Sequence, residues 1–361
     1  MRCIGICFFA FLVCSAVARH NIGSGSFDPK DYGWYEQAII QGNDVNDANS
    51  GSGTYNALNQ EKEPPSPPPK PPPSPSPPTP PRPPPSPRPP RPPNPPPPPM
   101  MDVWILAGQS NMVGENSFDD QTPPRPWAIP NDEMFMFPMN PSHPMRNGWQ
   151  RAQNNMGAIS HGCNWCTGNN AGVGPEVAFA HTLLTNNVTK RIGFIPTALG
   201  GTTLSWAWNP STGLEYKNMV KAVHQAMTAN PEQPKRLRGI IWVQGESDAL
   251  EFSTSANYGM NLWNLIHESR NALRAYHPAL PWVVTKMAVQ GRARLLPFIE
   301  SVRAGQEAMA WGIPNIVMVD MEGMEFYMQY YSGGMHPLHL SKRGACQLGR
   351  AMGEAWVHSN L

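Results

Sequence analysis

Charge is scarce in this chain. Only 15% of its 361 residues are Asp, Glu, Lys or Arg, and the formal balance is +1. Neither a broadly basic nucleic-acid binder nor an acidic solvating protein has such a composition. Cysteine is sparse too, with six residues, three of which (Cys3, Cys7 and Cys14) fall at the extreme N-terminus. Long apolar runs are missing beyond that terminus. No later segment reaches about 18 consecutive apolar residues, so no membrane-spanning helix is expected in the body of the chain.

The N-terminus itself reads as a secretory signal over residues 1–18. Arg2 precedes the apolar run "CIGICFFAFLVC", and Ala16-Val17-Ala18 fits an A-x-A cleavage site. The run is too short to cross about 30 Å of hydrocarbon, which argues against a membrane anchor. Removing the signal leaves Cys163, Cys166 and Cys346. In an oxidising compartment that odd number implies one disulfide, Cys163–Cys166 or Cys163–Cys346, and one free thiol. "HGCNWC" has metal-ligand spacing with His161 nearby, but a structural zinc site takes four ligands and no second close pair is evident. No metal and no organic cofactor are expected. Asn187-Val188-Thr189 is an N-glycosylation sequon.

Proline, in contrast, is abundant and uneven. Residues 19–63 are rich in Gly, Asn, Asp and Ser and read as a disordered polar segment. Residues 64–99 contain 26 prolines among 36 positions. Proline fixes φ and lacks an N–H, so neither helix nor sheet can form there. The expectation is a polyproline II rod rising about 3.1 Å per residue, on the order of 100 Å in all. Its only charges are Lys70, Arg82, Arg88 and Arg91. The tract resembles the Ser-Pro repeats of hydroxyproline-rich wall glycoproteins of plants and green algae, which implies cell-wall or extracellular-matrix association. A plain spacer is the alternative.

Residues 100–361 are long enough to bury one large core. The near-continuous apolar stretches 103–107, 192–198, 239–244, 282–288 and 315–320 suit parallel strands buried on both faces. Helical periodicity lies between and after them, at 176–186, 215–229, 256–276, 297–311 and 341–356, the last capped by Ser341. Alternating strands and helices predict a doubly wound α/β sheet.

In such a sheet ligands bind beyond the carboxyl ends of the strands. "GQSN" follows the first strand, "LGGTT" the second and "QGESD" the third, while "HPLHLS" precedes the last helix. One Gly-rich turn of this kind is ordinary; the ordered set is not. "GQSNM…GVGP…GGTT…QGESD…HLS" resembles the SGNH-type hydrolases, and among them the sialate O-acetylesterase-like (SASA) carbohydrate esterases, over roughly residues 102–358. The resemblance implies a flavodoxin-like three-layer sandwich with a central parallel sheet. It also implies a serine esterase that removes O-acetyl groups from carbohydrate.

Carried over by position, Ser110 matches the nucleophile and His339 the general base. The backbone N–H groups of Ser110 and Gly201 match oxyanion donors, with Gln244 as the candidate third donor. Gln109, Asn111 and Glu246 match supporting positions. His181, His224 and His267 fall on helical patterns and are read as structural. One position departs from the family: its Asp, three residues before the histidine, is His336 here. Either neutral His336 accepts the N–H of His339, or an acid such as Asp320, Glu322 or Glu325 substitutes, or the domain has lost activity. The last outcome describes a wall-associated glycan-binding protein. A thioesterase or lipase on the same fold would require an extended apolar acyl pocket. Trp165, Trp206 and Trp208 are aromatic candidates for stacking on a sugar or for ordinary packing.

Overall fold

A computed structural model describes residues 98–361, apart from 123, 140–147, 154–155, 157–171 and 332–333. The signal, the polar segment, nearly all of the prolyl tract, and Cys163, Cys166, His161 and Trp165 lie outside the described residues. In chain order the main elements are β1 (Met101–Gly108), α1 (Ser110–Val113), β2 (Met134–Met136), β3 (Gln150–Arg151), α2 (Glu176–Thr185), β4 (Ile192–Pro196), α3 (Leu214–Thr228) and β5 (Lys235–Val243). They continue with α4 (Phe252–Ala256), α5 (Tyr258–Ala272), β6 (Trp282–Lys286), α6 (Ile299–Gly312), β7 (Ile316–Asp320), β8 (Gln329–Tyr331), β9 (Gly334–His336) and α7 (Lys342–His358).

Seven strands form one sheet in the order β3-β2-β4-β1-β5-β6-β7. All neighbours run parallel except β3, which pairs antiparallel with β2 at the edge. The five long apolar stretches read from the sequence are β4, β1, β5, β6 and β7. Both faces of these strands are covered, which is why they lack polar alternation. On one face Trp104 of β1 packs edge-on against Phe179 of α2 and Trp356 of α7, with ring centroids 4.9 and 4.6 Å apart. On the other, Trp242 of β5 meets Trp208 edge-on at 5.1 Å, within a core that includes Met219 of α3, Leu262 of α5 and Val302 of α6. Each such aromatic pair contributes roughly 0.5–1.5 kcal/mol beyond its burial. The result is an α/β/α sandwich.

Ser341 caps α7 as expected, its Oγ accepting from the Gly344 N–H at 2.9 Å. The helix expected over 256–276 divides into the end of α4 and α5, and stops at Ala272. Tighter bonds then take over, with Tyr276 N–H donating to Leu273 O at 2.9 Å. The short strands β2, β3, β8 and β9 carry no period long enough to be read from sequence.

Chain order places β1 at a topological switch point. From β1 the chain passes through β2, β3 and β4, all on one side, then crosses to β5 on the other. The carboxyl ends of β1, β4 and β5 therefore open into one crevice.

Candidate active site

Gly108 turns the chain out of the sheet. Its φ of +123° is a conformation that side chains rarely adopt, and a Cβ there would overlap the Val243 carbonyl. Gln109, in extended conformation, donates its N–H to that same carbonyl at 3.0 Å. Ser110 then begins α1, a single turn closed by left-handed Gly114, whose N–H reaches Ser110 O at 2.9 Å. A sharp strand-to-helix turn presenting one hydroxyl is what a serine nucleophile requires.

The next residue, Asn111, reaches across 228 positions of chain to bracket His339. Its Oδ1 accepts the Leu340 N–H at 2.9 Å, and its Nδ2 lies 3.5 Å from Leu338 O. The same Nδ2 donates to Glu246 Oε1 at 2.6 Å. Both chain neighbours of the histidine are thus tied to the side chain adjoining Ser110. Arg292, with no solvent exposure, holds the other side of the bracket. Its Nη2 donates to Glu246 Oε1 at 2.8 Å and to Leu338 O at 3.2 Å, and its guanidinium lies 4.7 Å from the centre of the Phe326 ring. Sequence reasoning missed Arg292. It sits in "GRARLLP", where nothing local separates it from Arg294.

The His339 ring meets Gln329, with Nδ1 3.1 Å from Gln329 Oε1. The Tyr327 ring stacks on it at 6.4 Å and 25°. Desolvation lowers the imidazole from 6.5 to about 4; Glu246 opposes that shift and Arg292 adds to it. The ring is therefore neutral near pH 7. No hydrogen bond joins Ser110 Oγ to His339 among the described residues; such catalytic bonds often tighten only in the Michaelis complex.

The groups expected to orient His339 lie elsewhere. His336 ends β9 opposite Gln329 and makes no hydrogen bond to His339 among the described residues. Asp320 pairs with Lys286 at 2.7 Å. Glu322 accepts the Val289 N–H at 2.8 Å, and Glu325 accepts the Ser341 hydroxyl at 2.8 Å. Gln329 was missed because its distance in sequence from His339 is bridged only by the β8–β9 hairpin.

The loop after β4 is stitched to the serine turn. Thr197 N–H donates to Leu106 O at 2.8 Å and Leu199 N–H to Gly108 O at 3.1 Å. Within this loop Gly201 has φ +71°. Neither the Gly201 N–H nor the Ser110 N–H donates to another described residue, so both remain available to an acyl oxygen.

Gln244 differs from expectation. Its Nε2 lies 3.1 Å from Gln109 Oε1, 3.0 Å from Thr202 O and 2.5 Å from Asp248 Oδ2, while its Oε1 accepts from Tyr258 at 2.9 Å. Two amide hydrogens facing three acceptors leave none for an oxyanion, so Gln244 braces three loops rather than donating to substrate. Buried Asp248 also accepts the Leu204 N–H at 2.9 Å. Desolvation raises its carboxyl to about 6, against hydrogen bonds from Leu204, Gln244 and Ser205 that lower it and Glu246 that adds to the rise.

The three histidines on helical patterns each have a contact of their own. His181 contacts Ile129 O at 2.7 Å, His224 contacts the Tyr276 hydroxyl at 2.9 Å and His267 lies against Trp263. Trp208 is buried and donates to Thr202 Oγ1 at 3.0 Å, whereas Trp206 is exposed. Cys346 is a buried thiol, free among the described residues and pushed up to about 12 by desolvation, with Glu176 adding to the shift; its candidate partner Cys163 lies outside the described residues. Among the described residues no group of three His, Cys, Asp or Glu side chains could hold a metal, and no helix is long and apolar enough to cross a membrane.

A parallel sheet in this order, with a serine turn, a glycine-rich loop and a histidine loop tied together beyond its carboxyl edge, is the frame of an SGNH-type hydrolase. The chain belongs to the SASA family, described as carbohydrate esterase, sialic acid-specific acetylesterase, which matches residues 100–358. A probable carbohydrate esterase of Arabidopsis thaliana is 29% identical over 266 residues, spanning 71% of this chain and 90% of that protein. The X-ray structure of the Arabidopsis protein aligns with a TM-score of 0.57 at 26% identity, covering 73% of this chain and 100% of the other. The crystal structure of NanS shares the fold at a TM-score of 0.56 and 18% identity, over 72% of this chain and 97% of its own.

Proposed function

We propose that this protein is a secreted serine esterase that removes O-acetyl groups from carbohydrate through an acetyl-Ser110 intermediate. The observation that carries the reading is the Asn111 bracket, which ties the residues on both sides of His339 to the neighbour of Ser110. Ser110 Oγ attacks the ester carbonyl while Nε2 of His339 takes its proton. The oxyanion faces the N–H groups of Ser110 and Gly201; in a comparable site, losing one such donor costs about 3–4 kcal/mol of transition-state stabilisation. Collapse expels the sugar oxygen, which leaves with the proton held on His339. His339 then deprotonates a water that attacks the acetyl-enzyme, releasing acetate and restoring the serine. Asn111, Glu246 and Arg292 hold the histidine loop; Gln109 and Gln244 hold the serine turn against the loops after β4 and β5.

Export through residues 1–18 and wall association through the prolyl tract of 64–99 belong to the same proposal. They rest on the leader pattern and on the 26 prolines. The acetylated glycan itself is not specified by these motifs, because they describe acyl transfer rather than the sugar. The second reading, a stalked glycan-binding protein without turnover, is favoured by one observation: the His339 Nδ1 partner is an amide and not a carboxylate.

A fluorophosphonate probe and a panel of acetylated polysaccharides assayed for released acetate separate the two. Labelling and acetate release that vanish in Ser110→Ala support the esterase. Absence of both at every pH, in protein that is folded, assigns the chain to glycan binding.

A further inference from the structure

We propose that Gln329 is the positioning residue of this site, its Oε1 accepting the Nδ1–H of His339 and so fixing the tautomer whose Nε2 is free to take the Ser110 proton. The proposal rests on the serine-esterase reading for its catalytic meaning, though not for its geometry. Gln329 and His336 are directly opposed in the β8–β9 hairpin. The position where the family pattern carries Asp is thus filled by His336, and the neighbouring strand supplies the acceptor instead, at 3.1 Å from the ring. Oxygen can meet Nδ1 at that distance only if the ring nitrogen carries the hydrogen.

An amide acceptor orients the ring as a carboxylate does but supplies no negative charge. The charged and titratable groups around His339 do not make up the difference. Glu246 is the carboxylate that favours the charged ring, yet its Oε1 is already bonded to Asn111 and Arg292, and the Arg292 guanidinium opposes that charge. The Tyr327 phenol stacks on the ring and is pushed up to about 12 by desolvation, with Asp119 and Glu115 adding to the shift, so it stays neutral; its hydroxyl donates to Glu115 O at 3.3 Å. His336, across the hairpin, brings no anion. The imidazolium that forms during acyl transfer therefore lacks a hydrogen-bonded counter-charge. The enzyme gives up some rate and gains a base that stays unprotonated in acid.

Gln329→Glu tests this, because it changes charge with almost no change in shape. With the full-length protein, an NMR pH titration of the His339 ring nitrogens should show its pKa rising by about 1–3 units. The acid limb of kcat/KM should move upward with it, and kcat at neutral pH should increase roughly tenfold or more. Gln329→Leu removes the acceptor and should lower kcat roughly tenfold or more with little change in KM. A ring pKa unmoved in Gln329→Glu overturns the proposal, as does full kcat in a folded Gln329→Leu. If the wild-type protein neither releases acetate nor takes a fluorophosphonate, the esterase reading fails separately. The ring titration still decides whether Gln329 holds His339.

Discussion

Arg292→Met removes a guanidinium that has no exposed surface and leaves Glu246, itself buried, without its cation. The isosteric logic is simple: methionine fills much of the volume, so the loss is electrostatic rather than a cavity. Breaking one partner out of a buried pair costs about 3–5 kcal/mol, chiefly because the remaining charge is stranded. For a domain of this size, each kcal/mol lowers Tm by roughly 2–4 °C, so the midpoint should fall by about 6–20 °C. Leu338 also loses the 3.2 Å bond from Nη2, which loosens the loop carrying His339 and should lower kcat more than it raises KM. Adding Glu246→Gln relieves the stranded charge while keeping an acceptor for Asn111. The double variant should therefore recover at least about 1 kcal/mol relative to the sum of the single changes. Thermal and urea unfolding of the four proteins at one pH measure this. An Arg292→Met cost below about 1 kcal/mol, or strict additivity, would refute the claim that the pair is a closed unit in a desolvated place.

Other expectations follow from single contacts. Asn111→Ala deletes the bonds to Leu340, Leu338 and Glu246, so kcat should fall at least roughly a hundredfold with the fold retained; near-normal turnover would show that the bracket is dispensable. Gly108→Ala places a Cβ on the Val243 carbonyl at a positive φ, and a large loss of soluble folded protein is expected on expression. With His339 lowered to about 4, kcat/KM should hold well below the ordinary imidazole value and halve near pH 4; a half-point at 6.5 would contradict the desolvated ring. The linked stability has the same direction. Between 6.5 and about 4 the unfolded chain takes a proton that the folded ring refuses, so this group's contribution is lost as pH falls. Glu176 behaves oppositely: desolvation raises it from 4.5 to about 8, partly offset by its own backbone N–H, and among the described residues no other group hydrogen-bonds its buried carboxyl oxygens. The folded state keeps a proton that the unfolded chain releases, so stability should decline as pH rises from 4.5 through 8. Glu176→Gln should flatten that decline in pH-dependent melts, leaving the smaller same-sign contributions of Glu115, Asp248 and Glu215.

The sheet was legible because its strands are covered on both sides. Burial on two faces forces continuous apolar runs such as "VWILA" and "GIIWVQ", and those runs need no partner to be seen. The serine turn was legible for a related reason, since leaving a buried strand sharply demands a glycine, here Gly108, just ahead of the Gln109-Ser110 pair. Short pieces were not legible. β2 is three residues long, and β8 and β9 together make a small hairpin whose pairing depends on where the rest of the chain has already gone.

The site divides along the same line. Sequence by itself determined which residue types stand at the carboxyl ends of the strands, and therefore the class of chemistry, because spacing and order are one-dimensional properties. Folding alone decided who touches whom. Gln244 became a brace once three acceptors closed around its amide, and Arg292 became the anchor of Glu246 once the loop after β6 folded over the crevice. Gln329, paired with His336 across the hairpin, became the partner of His339 once the chain beyond β9 turned that ring toward it. Hydrogen bonds are set by distances of about 3 Å in space, and residues far apart in the chain reach that range only when the backbone between them is already folded.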